Sequence, residues 1–169
     1  MYEKIFISVG ANLKRDKNIS LVKNCLNGLK LLKGYGIFLN SISQWYKTQP
    51  VPISNQPWFV NAVINVSTSL NPRETLDSLH EIEKLFGRKR KIKNEPRTLD
   101  LDIIDFEGMI KKTYPILPHP RMHLRHFVLI PLYNIAPNWE HPVMKDSINN
   151  LIEKNLSEKD KNILMIDKS

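Results

Sequence analysis

The stretch PRTLDLDIIDF, residues 96–106, sets Asp100, Asp102 and Asp105 among Leu99, Leu101, Ile103, Ile104 and Phe106. A strand alternates faces with period 2. On that count Leu99, Leu101 and Ile103 share one face, and Asp100 and Asp102 share the other. Asp105 falls on the apolar face by parity, which places it where the strand ends or bends. Two like charges two residues apart on one face repel each other, and a divalent cation between them relieves this. Such a pair can hold Mg²⁺ through one or two carboxylates, leaving phosphate oxygens and water for the other positions. Two metal ions there could clamp a transferring phosphoryl group. Asp-x-Asp alone is a common pattern; its setting in a buried strand gives it weight, because an unpaired buried carboxylate is costly.

The residues just before the acids are basic. GRKRKIKNEPR, residues 87–97, holds Arg88, Lys89, Arg90, Lys91, Lys93 and Arg97 against Glu95 alone. By itself this reads as a solvated loop or a nucleic-acid patch. Directly before a metal-binding acid pair, it matches what a polyphosphate with its Mg²⁺ requires. Guanidinium groups neutralise polyphosphate bidentately and stabilise charge developing in phosphoryl transfer. Arg97 could instead form a structural salt bridge to an aspartate. No G-x-x-x-x-G-K-S/T or G-x-G-x-x-G cradle is present, so nucleotide binding would rest on side chains and metal.

Two further clusters stand out. Phe59 and Asn61 share a strand face, with Val60 and Ala62 on the other. A ring beside an amide can stack on a flat heterocycle and hydrogen-bond its edge, and Phe127 could supply a second ring. LPHPRMHLRHF, residues 117–127, packs His119, Arg121, His123, Arg125 and His126 together. The histidines lack a zinc-ligand spacing, so anion binding is the better reading.

These groups need a scaffold. Residues 2–9 read as a strand, followed by a helix over 18–33 whose Ile19, Val22, Leu26, Leu29 and Leu32 step by three or four, with Gly34 as its C-cap. Strands are expected over 37–48 and 58–70, separated by the proline-rich loop 48–57. NPRE, residues 71–74, is a strong helix start for a helix ending at Gly87. After the acid strand come a turn at Glu107 and Gly108, a short strand near 109–113, a helix over 122–134 bent at Pro131, and a short helix near 147–154. The order β-α-β-β-α-β is the split βαβ arrangement, an α+β fold with helices packed on an antiparallel sheet.

Composition sets the bounds. The 169 residues suit one domain, 1–169; hydrophobic content is 41% and charged content 25%. A net charge of +8 and a pI near 9.6 favour anionic partners. No run of transmembrane length and no signal peptide is apparent, and Cys25 is the only cysteine, so the expected setting is the reducing cytoplasm. Cys25 reads as core filler.

Four blocks in order resemble the 6-hydroxymethyl-7,8-dihydropterin pyrophosphokinase family of folate biosynthesis. They are the proline-rich loop leading to QPWFVNAV, GRKRK, PRTLDLDII, and LPHPR followed by RHFVLIPLYNIAP. The resemblance begins at ISVGANL, residues 7–13, and runs to about Trp139. It implies a ferredoxin-like sandwich that transfers the β,γ-diphosphate of ATP, as co-substrate, to the pterin hydroxymethyl group, releasing AMP. Asp100 and Asp102 then correspond to the ligands of two Mg²⁺ ions, and Arg88 and Arg97 to the arginines that hold the phosphates. Phe59 and Phe127 correspond to the rings around the pterin, Asn61 to the amide reading its edge, and Thr48 and Val51 to its loop contacts. His80, Glu83, Arg90, Ile103, His119 and Arg125 match positions around the nucleotide. The loops 48–57 and 87–96 are expected to close over the substrates, excluding water. A monomer is expected, without nucleic-acid or membrane partners, and the chain length gives no indication of a fused second folate enzyme.

The chain departs from the family in places. Asn94 and Glu95 stand where many members have Trp-Gly, in a loop one residue shorter; this removes an aromatic lid and adds a negative charge. Pro120 stands where some members have an aromatic, Phe59 replaces a tyrosine, and Asp105 stands where many are apolar. Two other functions compete. A nucleic-acid module would interleave cations with aromatics along the sheet, whereas the Phe59 face carries Asn61, Val63 and Asn65. A different metal-dependent nucleotidyl- or phosphotransferase would leave the aromatic and amide set unexplained.

Overall fold

The computed structural model describes residues 1–88, 95–155 and 163–166. Strand β1 (Tyr2–Ala11) lies inside the sheet, with antiparallel β4 (Phe59–Thr68) on one side and β5 (Asp100–Phe106) on the other. β2 (Ile37–Ile42) and β3 (Tyr46–Thr48) both pair with β4, and β6 (Ile163–Met165) pairs with the outer side of β3. The order β5-β1-β4-β3 is that of a ferredoxin-like sheet, with β2 and β3 together filling the place of the second strand. The α+β reading therefore holds.

The sheet serves two cores. Ile5, Ile7 and Val9 of β1 face α1 (Leu21–Leu29) and α2 (Pro72–Leu85), together with Ile64, Val66, Leu101 and Ile103. On the other face, Phe6, Val63 and Ile104 meet α3 (His126–Ile135) and α4 (Ile148–Asn155). Burying each such aliphatic side chain contributes about 1.5–3 kcal/mol, so the alternation along β1 fixes its register on both sides. That register sets rows across the sheet. Gly10 lies opposite Asp100 on one side and Asn61 on the other, and Asn61 lies opposite Tyr46. Ser8 lies opposite Asp102 and Val63.

Local chemistry explains the element boundaries. The Asn71 side chain accepts from the amides of Arg73 and Glu74 while Glu74 returns a bond to the Asn71 amide, the expected capping box of α2. Helix α1 is shorter than its periodicity suggests. The Ser20 hydroxyl caps it at the Lys23 amide, and after Leu29 the chain tightens into a 3₁₀ turn, Leu32–Tyr35. That turn ends at Gly36 with φ 72°, so Gly36, and not Gly34, is the left-handed terminator. The single strand expected over 37–48 divides at Ser43, whose amide donates to Val63 O and whose hydroxyl accepts from the Val63 amide. The short strand expected near 109–113 is only a bridge between Lys111 and Leu117, in a segment broken by Pro115 and Pro118, which lack an N–H. The late helix is split: Arg125 is extended, between a 3₁₀ turn at Met122–Leu124 and α3. The turn at Glu107 and Gly108 is present, both residues with positive φ. Cys25 is fully buried, and burial pushes its thiol up to about 12, as suits core filler. Strand β6 had no counterpart in the sequence reading.

Asp105 sits at a bend, as its parity required. The β1–β5 ladder pairs Ile7 with Ile103 but Phe6 with Asp105, so Ile104 is the extra residue of a bulge. Asp105 is 3% exposed; it accepts from Trp139 Nε1 at 2.8 Å and from the Gly108 amide at 3.0 Å. Burial holds the Asp105 carboxyl above its usual range, partly offset by these hydrogen bonds. Above its folded-state pKa the buried charge costs stability, and this cost fades as the pH falls toward the ordinary carboxylate range. Trp139→Phe keeps a ring and deletes the donor. Thermal unfolding at pH 7 should show a loss of about 1–3 kcal/mol, which shrinks as the pH is lowered. A variant with unchanged Tm across that range would mean that the bond contributes nothing.

Candidate active site

The sheet rows open into a cleft of about 490 Å³ at the end of β1 that carries Ser8 and Gly10. Its floor is the acid pair. Asp100 and Asp102 both line the cleft, while Leu101 and Ile103 face the core behind them. Asp100 is gripped from two sides. Arg88, just beyond α2, reaches one carboxylate oxygen, and Arg97, just before β5, reaches the other. Burial alone would raise the Asp100 carboxyl, but the two guanidiniums outweigh it and hold it below the usual range. Arg88 also pairs with Glu83, which is 1% exposed and accepts from the Leu101 amide at 2.8 Å. Burial pulls Arg88 down, yet the Asp100 and Glu83 carboxylates hold it above its usual range, firmly charged.

A second wall carries rings and an amide. Phe59 and Asn61 project from β4, Thr48 from the end of β3, and Phe127 from the first turn of α3. Asn61 Nδ2 donates to Thr48 Oγ1 at 2.6 Å. A Cβ on Gly10 would lie 3.1 Å from Asn61 Oδ1, so the bare glycine leaves room for that amide. Arg97 stands 5.8 Å from the Phe59 ring centre and Arg125 5.5 Å from that of Phe127. The aromatic wall and the cationic wall therefore meet. Arg88, Arg97, Arg121 and Arg125 outnumber Glu95, Asp100 and Asp102 around the cleft, which suits an anionic ligand.

The third wall is the segment before α3. The His119 amide donates to Ile104 O at the β5 bulge, at 2.8 Å. Burial, then repulsion from Arg125 and Arg121, pushes the His119 imidazole down to about 4. It is neutral at physiological pH. Its Nδ1 accepts from the Arg121 amide at 3.2 Å, which leaves Nε2 as the N–H donor. Burial and Arg121 likewise lower Arg125.

The residues expected in the site therefore separate. Thr48, Val51, Phe59, Asn61, Arg88, Arg97, Asp100, Asp102, His119, Arg125 and Phe127 share the cleft. Glu83 lies behind it, holding Arg88. Ile103 faces the helical core, 5% exposed, and half-buried His80 on α2 is not part of the lining. Arg90 and Asn94 lie outside the described residues, as does most of the basic loop. Asn12 was missed. It is 2% exposed, accepts from the Arg97 amide at 2.8 Å, and donates from Nδ2 to Gln56 Oε1 and Pro57 O at 3.1 and 3.2 Å. It thus ties Arg97 to the end of the proline-rich loop. The one available signal was a polar residue directly after the apolar β1 run, in GANL.

The donor set fits Mg²⁺. It offers two hard carboxylates on alternate residues of one strand, beside open space. Among the described residues no three His, Cys, Asp or Glu cluster, so a cation there would complete its shell from water and ligand oxygens.

Two outcomes follow from this geometry. The His119 C2–H resonance should stay flat from pH 8 to pH 5.5 in NMR; a midpoint near 6.5 would contradict its half-buried placement beside Arg125 and Arg121. Asn12→Ala leaves the Arg97 amide without its acceptor and frees the loop end. Turnover should fall on the order of tenfold or more with the fold retained, because displaced catalytic groups lose rate steeply. Wild-type turnover in this variant would remove Asn12 from the site.

Residues 6–137 match the family described as 7,8-dihydro-6-hydroxymethylpterin-pyrophosphokinase. A Synechocystis 2-amino-4-hydroxy-6-hydroxymethyldihydropteridine pyrophosphokinase is 38% identical over 86% of this chain and 75% of its own. The Pseudomonas aeruginosa protein of the same name is 34% identical over 84% and 86%. The Dictyostelium discoideum folic acid synthesis protein FOL1 is 38% identical over 87% of this chain, which spans only 22% of that relative. A crystal structure of Plasmodium falciparum HPPK-DHPS superposes with a TM-score of 0.71 at 15% identity, covering 98% of this chain and 45% of that one; at this identity the likeness shows the fold.

Proposed function

The chain belongs to the 7,8-dihydro-6-hydroxymethylpterin-pyrophosphokinase family, and on that premise we propose that it transfers the β,γ-diphosphate of ATP to the hydroxymethyl group of 6-hydroxymethyl-7,8-dihydropterin, with AMP as the leaving group. The observation that carries this reading is the meeting, in one cleft, of an acid pair, four guanidiniums and a two-ring wall with a positioned amide. The pterin alcohol oxygen attacks the β-phosphorus, the bond from that phosphorus to the α-phosphate oxygen breaks, and AMP departs with that oxygen and its electron pair. The alcohol proton passes to solvent or to a neighbouring oxygen.

Asp100 and Asp102 would hold Mg²⁺, which supplies positive charge to the phosphates and orients their oxygens. Arg88 and Arg97 bind the transferring phosphates. In the free protein both spend their charge on Asp100. When they turn to phosphate oxygens, Asp100 is left ionised and open to a cation, so nucleotide entry and metal binding favour one another. Neutral His119 donates from Nε2 to a phosphate or ribose oxygen without adding charge, and Arg125 supplies charge beside it. Phe59 and Phe127 stack on the pterin, Asn61 reads its edge, and Thr48 and Val51 border it. Such a reaction needs positioning and charge neutralisation more than covalent chemistry.

Incubation with ATP, Mg²⁺ and the dihydropterin should release AMP only when the pterin is present. ADP in place of AMP would reduce the protein to an ordinary kinase. Asp102→Asn should lower turnover by at least about a hundredfold with Tm nearly unchanged, since it removes a metal ligand and leaves the Arg88–Asp100–Arg97 cluster in place. Arg97→Ala should lower kcat by about 10²–10³ while the pterin KM moves little. Equal losses in kcat and pterin affinity would make Arg97 a structural group.

A further inference from the structure

The wall that carries Thr48 is a strand of three residues, β3 (Tyr46–Thr48). Strands this short are weak alone, and an edge strand frays first. Yet Tyr46 and Thr48 are 7% and 4% exposed, and the chain runs straight from Thr48 into the cleft-lining residues Gln49 and Val51. β3 is held from both sides. On its inner side it pairs with β4, Tyr46 opposite Asn61 and Thr48 opposite Phe59. On its outer side β6 (Ile163–Met165) pairs with all three of its residues, and the Ile166 amide donates to Trp45 O at 2.8 Å.

The geometry of this outer ladder says what β6 contributes. Trp45–Ile166 is a hydrogen-bonded position, and antiparallel pairs alternate. Lys47–Leu164 is therefore hydrogen-bonded as well, while Tyr46–Met165 and Thr48–Ile163 are the close, non-bonded pairs. Leu164 and Met165 are 53% and 59% exposed, so their side chains bury little. What β6 gives β3 is mainly its backbone, which turns a frayed edge into an internal strand.

We infer that β6 is a positioning element of the pterin subsite: the far end of the chain clamps β3 and so fixes Thr48, its partner Asn61 and the base of the 49–57 loop. This rests on the reading of that wall as the pterin subsite. On the same reading ATP is held by Arg88, Arg97, His119 and Arg125, none of which is on β3, the strand that β6 pairs with. Loosening β6 should thus be felt by one substrate and not by the other.

The test uses the full chain and two prolines. Leu164→Pro deletes the N–H that bonds to Lys47 O; Met165→Pro replaces a residue whose N–H points away from β3 and serves as the matched control. Leu164→Ala controls for the side chain. In Leu164→Pro, hydrogen exchange of the substrate-free protein at Tyr46–Thr48 should quicken at least tenfold. The pterin KM should rise at least fivefold, while the ATP KM stays within twofold. Both controls should behave as wild type. Unchanged exchange, or faster exchange with an unchanged pterin KM, would overturn the inference, and so would a parallel rise in both KM values. If Leu164→Pro does not fold, Leu164→Gly carries the same comparison with a smaller expected pterin effect of about twofold. A wild-type protein that releases no AMP with the pterin would instead sink the functional reading, and the two failures are distinct.

Discussion

Everything at the site depends on the register of β1 against its two neighbours. The alternation of Ile5, Ile7 and Val9 into one core, with Phe6 into the other, leaves β1 no freedom to slip, because a shift of one residue would exchange the two faces. That constraint brings Asp100 and Asn61 to either side of Gly10. The missing side chain matters as much as those present. A Cβ at Gly10 would come within 3.1 Å of the Asn61 amide oxygen and 3.9 Å of Asp100 Cβ, closing the space between the acid row and the amide row. On the proposed reading, two substrates that meet end to end would need that space, since transfer requires the reacting atoms in near contact.

The electrostatics follow from the same packing. Asp100 is buried enough for desolvation to oppose its charge, and the paired guanidiniums reverse the balance. An acid whose folded pKa is depressed contributes stability above its ordinary pKa and loses it as the pH falls through the folded value. The Arg88–Asp100–Arg97 cluster thus strengthens the ligand-free fold at neutral pH while holding ready the groups a polyphosphate would claim. Asp105, three residues beyond Asp102 on the same strand, shows the opposite behaviour. Its carboxylate is met by the hydrogen-bond donors Trp139 and the Gly108 amide, which burial outweighs, so its carboxyl is raised. Carboxylates on one strand are separated in character by whether an arginine reaches them.

Sequence alone carried the local rules well. Period-2 reading separated Asp100 and Asp102 from Leu101 and Ile103, and the parity break at Asp105 became a bulge. The capping box of α2 was legible because its residues are adjacent. What was hidden depends on distant partners. Asp105 had no account until Trp139, 34 residues on, supplied its donor. Asn12 is an ordinary polar residue until Arg97 and Gln56 arrive beside it. β6 lies in a four-residue apolar run, 163–166, and among the described residues β3 gives it a strand to complete. His80 and Ile103, which the resemblance sets around the nucleotide, stand on α2 and on the helix-facing side of β5, outside the cleft lining among the described residues.

The division of labour between sheet and loops has a physical reason. The acids stand on β5, inside a ladder that fixes them, while each guanidinium of the cleft stands off the strands. Arg88 follows Gly87, whose φ of 83° ends α2; Arg97 precedes β5; Arg121 and Arg125 flank a 3₁₀ turn. A metal ion tolerates little displacement of its ligands, so its carboxylates belong on rigid backbone. A polyphosphate, the ligand the proposed reaction calls for, presents many equivalent oxygens that change charge during transfer, so cations that bind it would gain from long, movable side chains. Arg97 joins the two behaviours. Its backbone is pinned by Asn12 to the end of the 49–57 loop, while its guanidinium spans from Asp100 toward the Phe59 ring. The amide bond to Asn12 holds the Arg97 backbone, and the side chain beyond it stays free to move between Asp100 and a ligand oxygen.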